Sequence, residues 1–383
     1  MSYNPNPNPN PLTYQFVVAD EIQVYRPRPV NRYLVCPSGG YYVKLEPLRD
    51  GTLVAVFKGG DGIVGLWGHL QIATSPDGGE SWTPPRTIVR MDHDTDHMAL
   101  GQARDGTLVL SFVQPHAYQN GLWDTTQVHD GPVYTVRSQD GGATWSAPVA
   151  IDTSSTPVPE GCNPHGKIAQ LPDGTLLMCV YFRYRDGQTR PSYQQHGTDF
   201  GTYLLRSRDG GQTWGDGSLL ADGFVEPSLY MLPSGRLMAM VVQFMPGRNL
   251  WLTESDDGGY TWNAPRPITC YHEYSGSSLL QLQDGRLLLA YGHRSFPGGI
   301  HAMLSHDEGR TWQEEKVILA AESVYQFCGG GSSVQLANGK IVTAYFQHQG
   351  TGPFLHPRTY WVSAGFFIGP YAAVVKYSPA DLP

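Results

Sequence analysis

One octapeptide occurs five times in the chain: SPDGGESW (75–82), SQDGGATW (138–145), SRDGGQTW (207–214), SDDGGYTW (255–262) and SHDEGRTW (305–312). Successive copies start 63, 69, 48 and 50 residues apart. A repeat of that period means like modules, each too small to bury its own apolar face and stacked so that neighbours bury it. Within the octapeptide, the Asp carboxylate can accept backbone N–H bonds while a Gly takes a left-handed conformation. Each copy therefore reads as a tight turn, anchored by its hydroxyl residues and its Trp. The runs just before the copies, LQIAT, VYTVR, TYLLR, LWLTE and IHAML, are short and rich in β-formers, and read as strands.

A second repeat counts the modules better. LRDGTL (48–53), ARDGTL (103–108), LPDGTL (171–176), LPSGRL (232–237), LQDGRL (282–287) and LANGKI (336–341) each place a Gly in a two-residue hairpin signal between apolar runs. From hairpin Gly to the next octapeptide Ser there are 24, 32, 33, 20 and 20 residues, room for two strands and a loop. Each module is then a four-stranded antiparallel meander, and six meanders closing in a ring predict an all-β, six-bladed β-propeller. The sixth module has YAAVVKY (371–377) as its third strand, and FVVADEIQVY (16–25) is expected to supply the outer strand that closes the ring. Residues 13–383 form one domain on this reading, and the polar start MSYNPNPNPNP leaves 1–12 as a disordered leader.

Composition narrows the partners. The net charge is −8 and no basic stripe stands out, which argues against a nucleic-acid partner. No run of about 18 apolar residues is present, so no membrane span is expected. The N-terminus has no apolar signal segment, and the five cysteines are an odd number with no CxxC pair. A reduced, cytoplasmic chain is the simpler reading, with a processed secreted form left open. No cofactor and no metal are expected: MDHDTDH (91–97) is ligand-rich but reads as a solvated connection between blades.

The octapeptides are similar to the Asp boxes of the sialidase superfamily, a resemblance that spans roughly residues 40–376. It implies a propeller whose hairpins and octapeptides share one face while ligands bind on the other. Asp boxes also occur in propellers of other function, so the chemistry has to be read from the ligand face. That face collects the residues just before each first strand and just after each second strand. Among them are Tyr41, His97, His165, Glu226 and Gly331 from the starts, and Asp61, His116, Arg183, Arg185, Gln243, His293, Arg294 and His348 from the ends.

Sialidases hold a substrate carboxylate with three arginines and use a Tyr nucleophile backed by a Glu, with an Asp as acid/base. The resemblance matches the Glu to Glu226 in VEPSLYMLPSGRL, the Asp to Asp61 in KGGDG and the third arginine to Arg294 in YGHRSFPGG. Tyr41 and Gln243 stand where the first two arginines would be, and Gly331 where the Tyr would be. It thus implies an exo-acting glycoside hydrolase on an acidic or terminal sugar of an oligosaccharide or polysaccharide. Asp61 and Glu226 would carry the chemistry, Arg294 with Arg183 or Arg185 an acidic substituent, and Tyr41, Gln243 and His293 further substrate contacts. Histidine supports an alternative: His97 or His165 as base in a polysaccharide lyase acting beside a uronate carboxylate. A noncatalytic glycan-binding propeller is the third reading.

Overall fold

A computed structural model describes residues 31–37, 39–60, 66–115, 118–119, 122–123, 131–159, 161–184, 200–243, 249–269, 273–293, 298–313, 317–323, 328–349 and 368–382. Among the described residues, apart from one 3-10 turn, Pro379–Asp381, the regular structure is all β. β1 (Asn31–Cys36) leads into a first meander of β2 (Tyr41–Pro47), β3 (Leu53–Gly59), β4 (His69–Ser75) and β5 (Arg86–Val89). The second has β6 (Asp96–Gln102) and β7 (Leu108–Val113), a small hairpin of β8 (Tyr118–Gln119) and β9 (Leu122–Trp123), then β10 (Val133–Ser138) and β11 (Val149–Ala150). β12 (Asn163–Gln170), β13 (Leu176–Arg183), β14 (Phe200–Ser207) and β15 (Gly215–Asp222) make the third. β16 (Phe224–Met231), β17 (Leu237–Gln243), β18 (Leu250–Ser255) and β19 (Arg266–Pro267) follow, then β20 (Glu273–Gln281), β21 (Leu287–His293), β22 (Gly298–Ser305) and β23 (Val317–Ser323). The last group is β24 (Cys328–Gln335), β25 (Ile341–Gln349) and β26 (Ile368–Tyr377).

Four of the sheets have four strands each, and the second and third meanders share one eight-stranded sheet. They join by a short parallel pairing of β6 with β12, Ala99 opposite Gly166 and Leu100 opposite Lys167. The first strands of the meanders contact one another in the cycle β2, β6, β12, β16, β20, β24 and back to β2. The result is propeller-like. Its apolar core lies between consecutive meanders: Val54, Ile72, Leu108 and Phe112 between the first two, Leu288, Ile300, Tyr345 and Val375 between the fifth and the last. Val43, Leu53, Val342 and Val374 bring the last sheet against the first. Full burial of each such side chain contributes about 1.5–3 kcal/mol, and it is realised only when the neighbouring sheet is present.

The closing strand differs from the expectation. The outer position beside β26 is held by β1, Asn31 opposite Lys376 through Cys36 opposite Ala372, whereas segment 16–25 and the leader 1–12 lie outside the described residues. β1 wins this place because it runs almost directly into β2 and can bury Val35 and Cys36 in the interface between the last and first sheets. Cys36, Cys162, Cys179 and Cys328 are buried. Among the described residues, no helix is long and apolar enough to cross a membrane.

The six hairpin signals form one kind of turn. In the first, the Leu48 amide donates to Thr52 O at 2.8 Å and the Gly51 amide to Leu48 O at 3.0 Å, and the same pair recurs in all six. Gly51 has φ +88°. This is a three-residue loop closed by a left-handed Gly, not a two-residue one, because the Asp50 carboxylate accepts the Thr52 amide (2.9 Å) and stabilises the wider turn.

The octapeptides also fold alike. Ser75 Oγ donates to Asp77 (2.8 Å) and accepts from the Gly79 amide (2.7 Å), while Asp77 accepts the amide and hydroxyl of Ser81. The Ser81 hydroxyl and amide hold the Asp77 carboxyl far below the usual range, and those of Thr144 hold Asp140 at about 2. Three of these turns are also held by an arginine of the preceding meander. Arg86 of the first meander donates to Gly142 O in the second octapeptide, Arg206 to Gly258 O at 3.0 Å, and Arg266 to Gly309 O. The octapeptides pack beside the hairpins, Gly78 against Leu336 and Gly141 against Leu48. Both sets therefore lie at one end of the strands, leaving the starts of the first strands to form the other face.

Candidate functional site

All six first strands carry an irregularity near their start. The pairing register breaks between Tyr41 and Lys44, Asp96 and Met98, His165 and Ala169, Val225 and Ser228, Tyr274 and Ser278, and Gly330 and Ser332. A bulge bends the strand and re-aims a side chain. Three of them hold a non-glycine residue in the left-handed region: Tyr42 (φ 55°), His97 (φ 28°) and Glu226 (φ 51°). That conformation costs an L-residue roughly 1–2 kcal/mol, and such strain persists where the surrounding structure over-determines it, most often at functional sites.

These bulges gather one cluster. The Tyr42 ring lies 4.8 Å from His97, and His97 lies 6.3 Å from His165 and 5.7 Å from Tyr181. His165 Nδ1 is 2.9 Å from Pro227 O, the carbonyl next along the chain from Glu226. A carbonyl only accepts, so Nδ1 carries the proton and Nε2 the lone pair. Gly166 makes that approach possible: with φ +82°, a Cβ there would sit 2.6 Å from the same Pro227 oxygen. Burial pushes the His165 imidazole well below its ordinary value, the Lys44 charge adds to this, and the bond to Pro227 opposes it. His165 is a neutral base at physiological pH.

Lys44 rises from β2, two residues past the bulged Tyr42. It is buried, which lowers its pKa to about 8 against the opposing pull of Glu226. Its charge is thus felt by residues of the third and fourth meanders. It lines a central cavity together with Glu46, Lys167, Ser228, Ser277 and Ser333, drawn from all but one of the six first strands. The cavity encloses about 50 Å³, room for a few waters but not a sugar ring. A ring-sized molecule would find room only above it, at the bulges.

The segment 91–97 departs from the solvated connection expected of it. Asp94, Thr95 and Asp96 are wholly buried because Lys58 of β3 reaches them, 2.8 Å from Asp94 Oδ1 and 3.7 Å from Asp96 Oδ1. Asp96 also accepts the His97 amide at 2.8 Å and lies 3.4 Å from His97 Nδ1. Among the described residues no group of three or more His, Cys, Asp or Glu is arranged to hold a metal ion.

Of the residues singled out in the sequence, His97, His165 and Glu226 come together. Tyr41 is buried against Phe346, ring centroids 5.7 Å apart, while its neighbour Tyr42 takes the bulge. Gln243 ends β17 opposite Phe224, two residues before Glu226. Arg183 ends β13, exposed. His293 ends β21 and stacks on His301 at 4.3 Å. Asp61, His116, Arg185 and Arg294 lie outside the described residues. Tyr42, Lys44 and Tyr181 were not anticipated, and Asp94 only as part of the ligand-rich run 91–97. One signal could have found Tyr42: Tyr42, His97, His165 and Glu226 each stand nine residues before a hairpin Gly.

The neutral His165 has a consequence for stability. The unfolded chain takes up a proton on this residue below about pH 6.5, and the folded chain does not until lower pH. The unfolded state then binds more protons, so stability falls as pH drops from about 6.5 toward the folded value, by at most roughly 1.4 kcal/mol per pH unit. Denaturant unfolding of the protein and of His165→Gln at pH 7.0 and 5.5 is expected to show a smaller pH loss in the variant.

Comparison with known proteins adds the family. A BNR repeat-like domain profile matches residues 90–326. The chain belongs to the BNR repeat-like domain family. A search of curated proteins returns no significant match. Among solved structures, a protein of unknown function from Dyadobacter fermentans is 21% identical, with TM-score 0.72 over 91% of this chain and 98% of that one. The leech intramolecular trans-sialidase is 15% identical, TM-score 0.64, over 91% and 69%. A sialidase of Streptococcus pneumoniae is 12% identical, TM-score 0.63, over 94% and 71%. At these identities the likeness establishes the fold that this BNR-repeat chain shares with sialidases.

Proposed function

We propose that this BNR-repeat protein is a six-bladed propeller enzyme that hydrolyses a glycosidic bond at the end of a glycan chain, with Glu226 at the reacting centre. The observation that carries this reading is the Glu226 bulge. A carboxylate is held buried, in a strained conformation, between the Lys44 charge and the His165 that grips the next residue. Glu226 exchanges a proton with the attacking group, and Asp61, from the connection after β3, is its proposed acid/base partner. His97, beside Asp96 and packed against the Tyr42 ring, positions the sugar.

His165 favours a second reading, elimination. Its Nε2 lone pair takes the C5 proton of a uronate, C4=C5 forms as the C4–O bond breaks, and the departing oxygen picks up a proton. A panel of sialosides, uronides and acidic polysaccharides distinguishes the two. Release of reducing ends with no ultraviolet absorbance is expected. Absorbance from an unsaturated uronate would assign elimination instead, and no turnover of any member would count against both.

A further inference from the structure

We infer that Lys44, with Ser277, forms an oxyanion subsite at the floor of the mouth, so that the glycan acted on carries its negative charge toward the propeller axis. The inference rests on the reading of the bulges as a sugar site and names the substrate's charge.

Lys44 is 8% exposed, and among the described residues its ammonium makes no hydrogen bond or ion pair; Glu226 acts on it only through its charge. A buried cation normally finds a counter-ion or gives up its proton. Ser277 lines the same cavity, and its Oγ is buried with no hydrogen-bond partner. Donors left over in one small cavity, a charged one and a hydroxyl, suit an oxyanion. The neighbouring lysine is already committed: Lys167 stands 3.1 Å from Glu46. The cavity is too small for a ring but admits a carboxylate or sulfate hanging from one that sits among Tyr42, His97 and His165. Glu226 competes for the same ammonium, so a bound anion also frees that carboxylate for chemistry.

Calorimetric titration tests this, using N-acetylneuraminic, glucuronic and galacturonic acids, each against its methyl ester, which keeps the sugar and removes the charge. At least one acid is expected to bind at least about tenfold more tightly than its ester, and sodium sulfate to compete with it. Lys44→Met should abolish the preference and Lys44→Arg restore part of it, with thermal melts reporting whether each variant folds. If no acid outbinds its ester, or the preference survives in Lys44→Met, the subsite is wrong. Sulfate binding without any acid preference marks a site for free anions only and equally overturns it. Should Lys44→Met not fold, the acid-to-ester comparison on the unaltered protein and on Lys44→Arg decides. A protein that prefers the acid but turns over nothing sinks the enzymatic reading alone; one that turns over glycans yet ignores charge sinks only the subsite.

Discussion

Glu226→Gln is expected to lower kcat on the glycan that the screen identifies by about 10²–10⁴-fold, with little change in thermal stability. The amide keeps the size of the side chain and its place in the β16 bulge but cannot exchange a proton. A variant within threefold of the parent would remove Glu226 from the chemistry. Two further variants separate its backbone from its side chain. Because φ is 51° at this residue, Glu226→Gly should be more stable than Glu226→Ala by roughly 1 kcal/mol. Both lack the carboxylate, so both should be as inactive as each other. The strain at this position then counts against stability.

The largest loss of stability is expected at Lys58. Its ammonium lies within 3.7 Å of both Asp94 and Asp96, and all three side chains are fully buried. Removing one partner of a buried ionic group leaves charge without compensation and typically costs about 3–5 kcal/mol. Lys58→Met should therefore lower the free energy of unfolding by about that much. The double variant Lys58→Met/Asp94→Asn should recover part of it, since one stranded charge is gone. A loss under about 1 kcal/mol would mean the triad is solvated in solution. Because Asp96 also holds His97, the single variant should weaken activity even where it remains folded.

Most of the fold was legible because its signals are local. An Asp, a Gly and a hydroxyl within eight residues make the octapeptide turn wherever they occur, and Leu48 to Leu53 carries all the donors and acceptors of its own hairpin. The same locality explains the errors. Whether 31–36 or 16–25 pairs with β26 depends on which can bury side chains against a strand about 340 residues away, and no nearby residue records that. The run 91–97 looked solvated because Lys58, its partner, belongs to a different strand.

By itself, the sequence determined the repeated all-β module and its two kinds of turn, because turn geometry repeats with turn residues. It also placed His97, His165 and Glu226 at equivalent positions. Only the tertiary structure decided how those positions are arranged. The bulges set the aim of each side chain, the close approach at Gly166 fixed the His165 tautomer, and the convergence of separate first strands put Lys44 beneath Glu226. Those are distances across a ring, set by how the sheets pack, and pairwise burial at that range leaves no periodic mark along the chain.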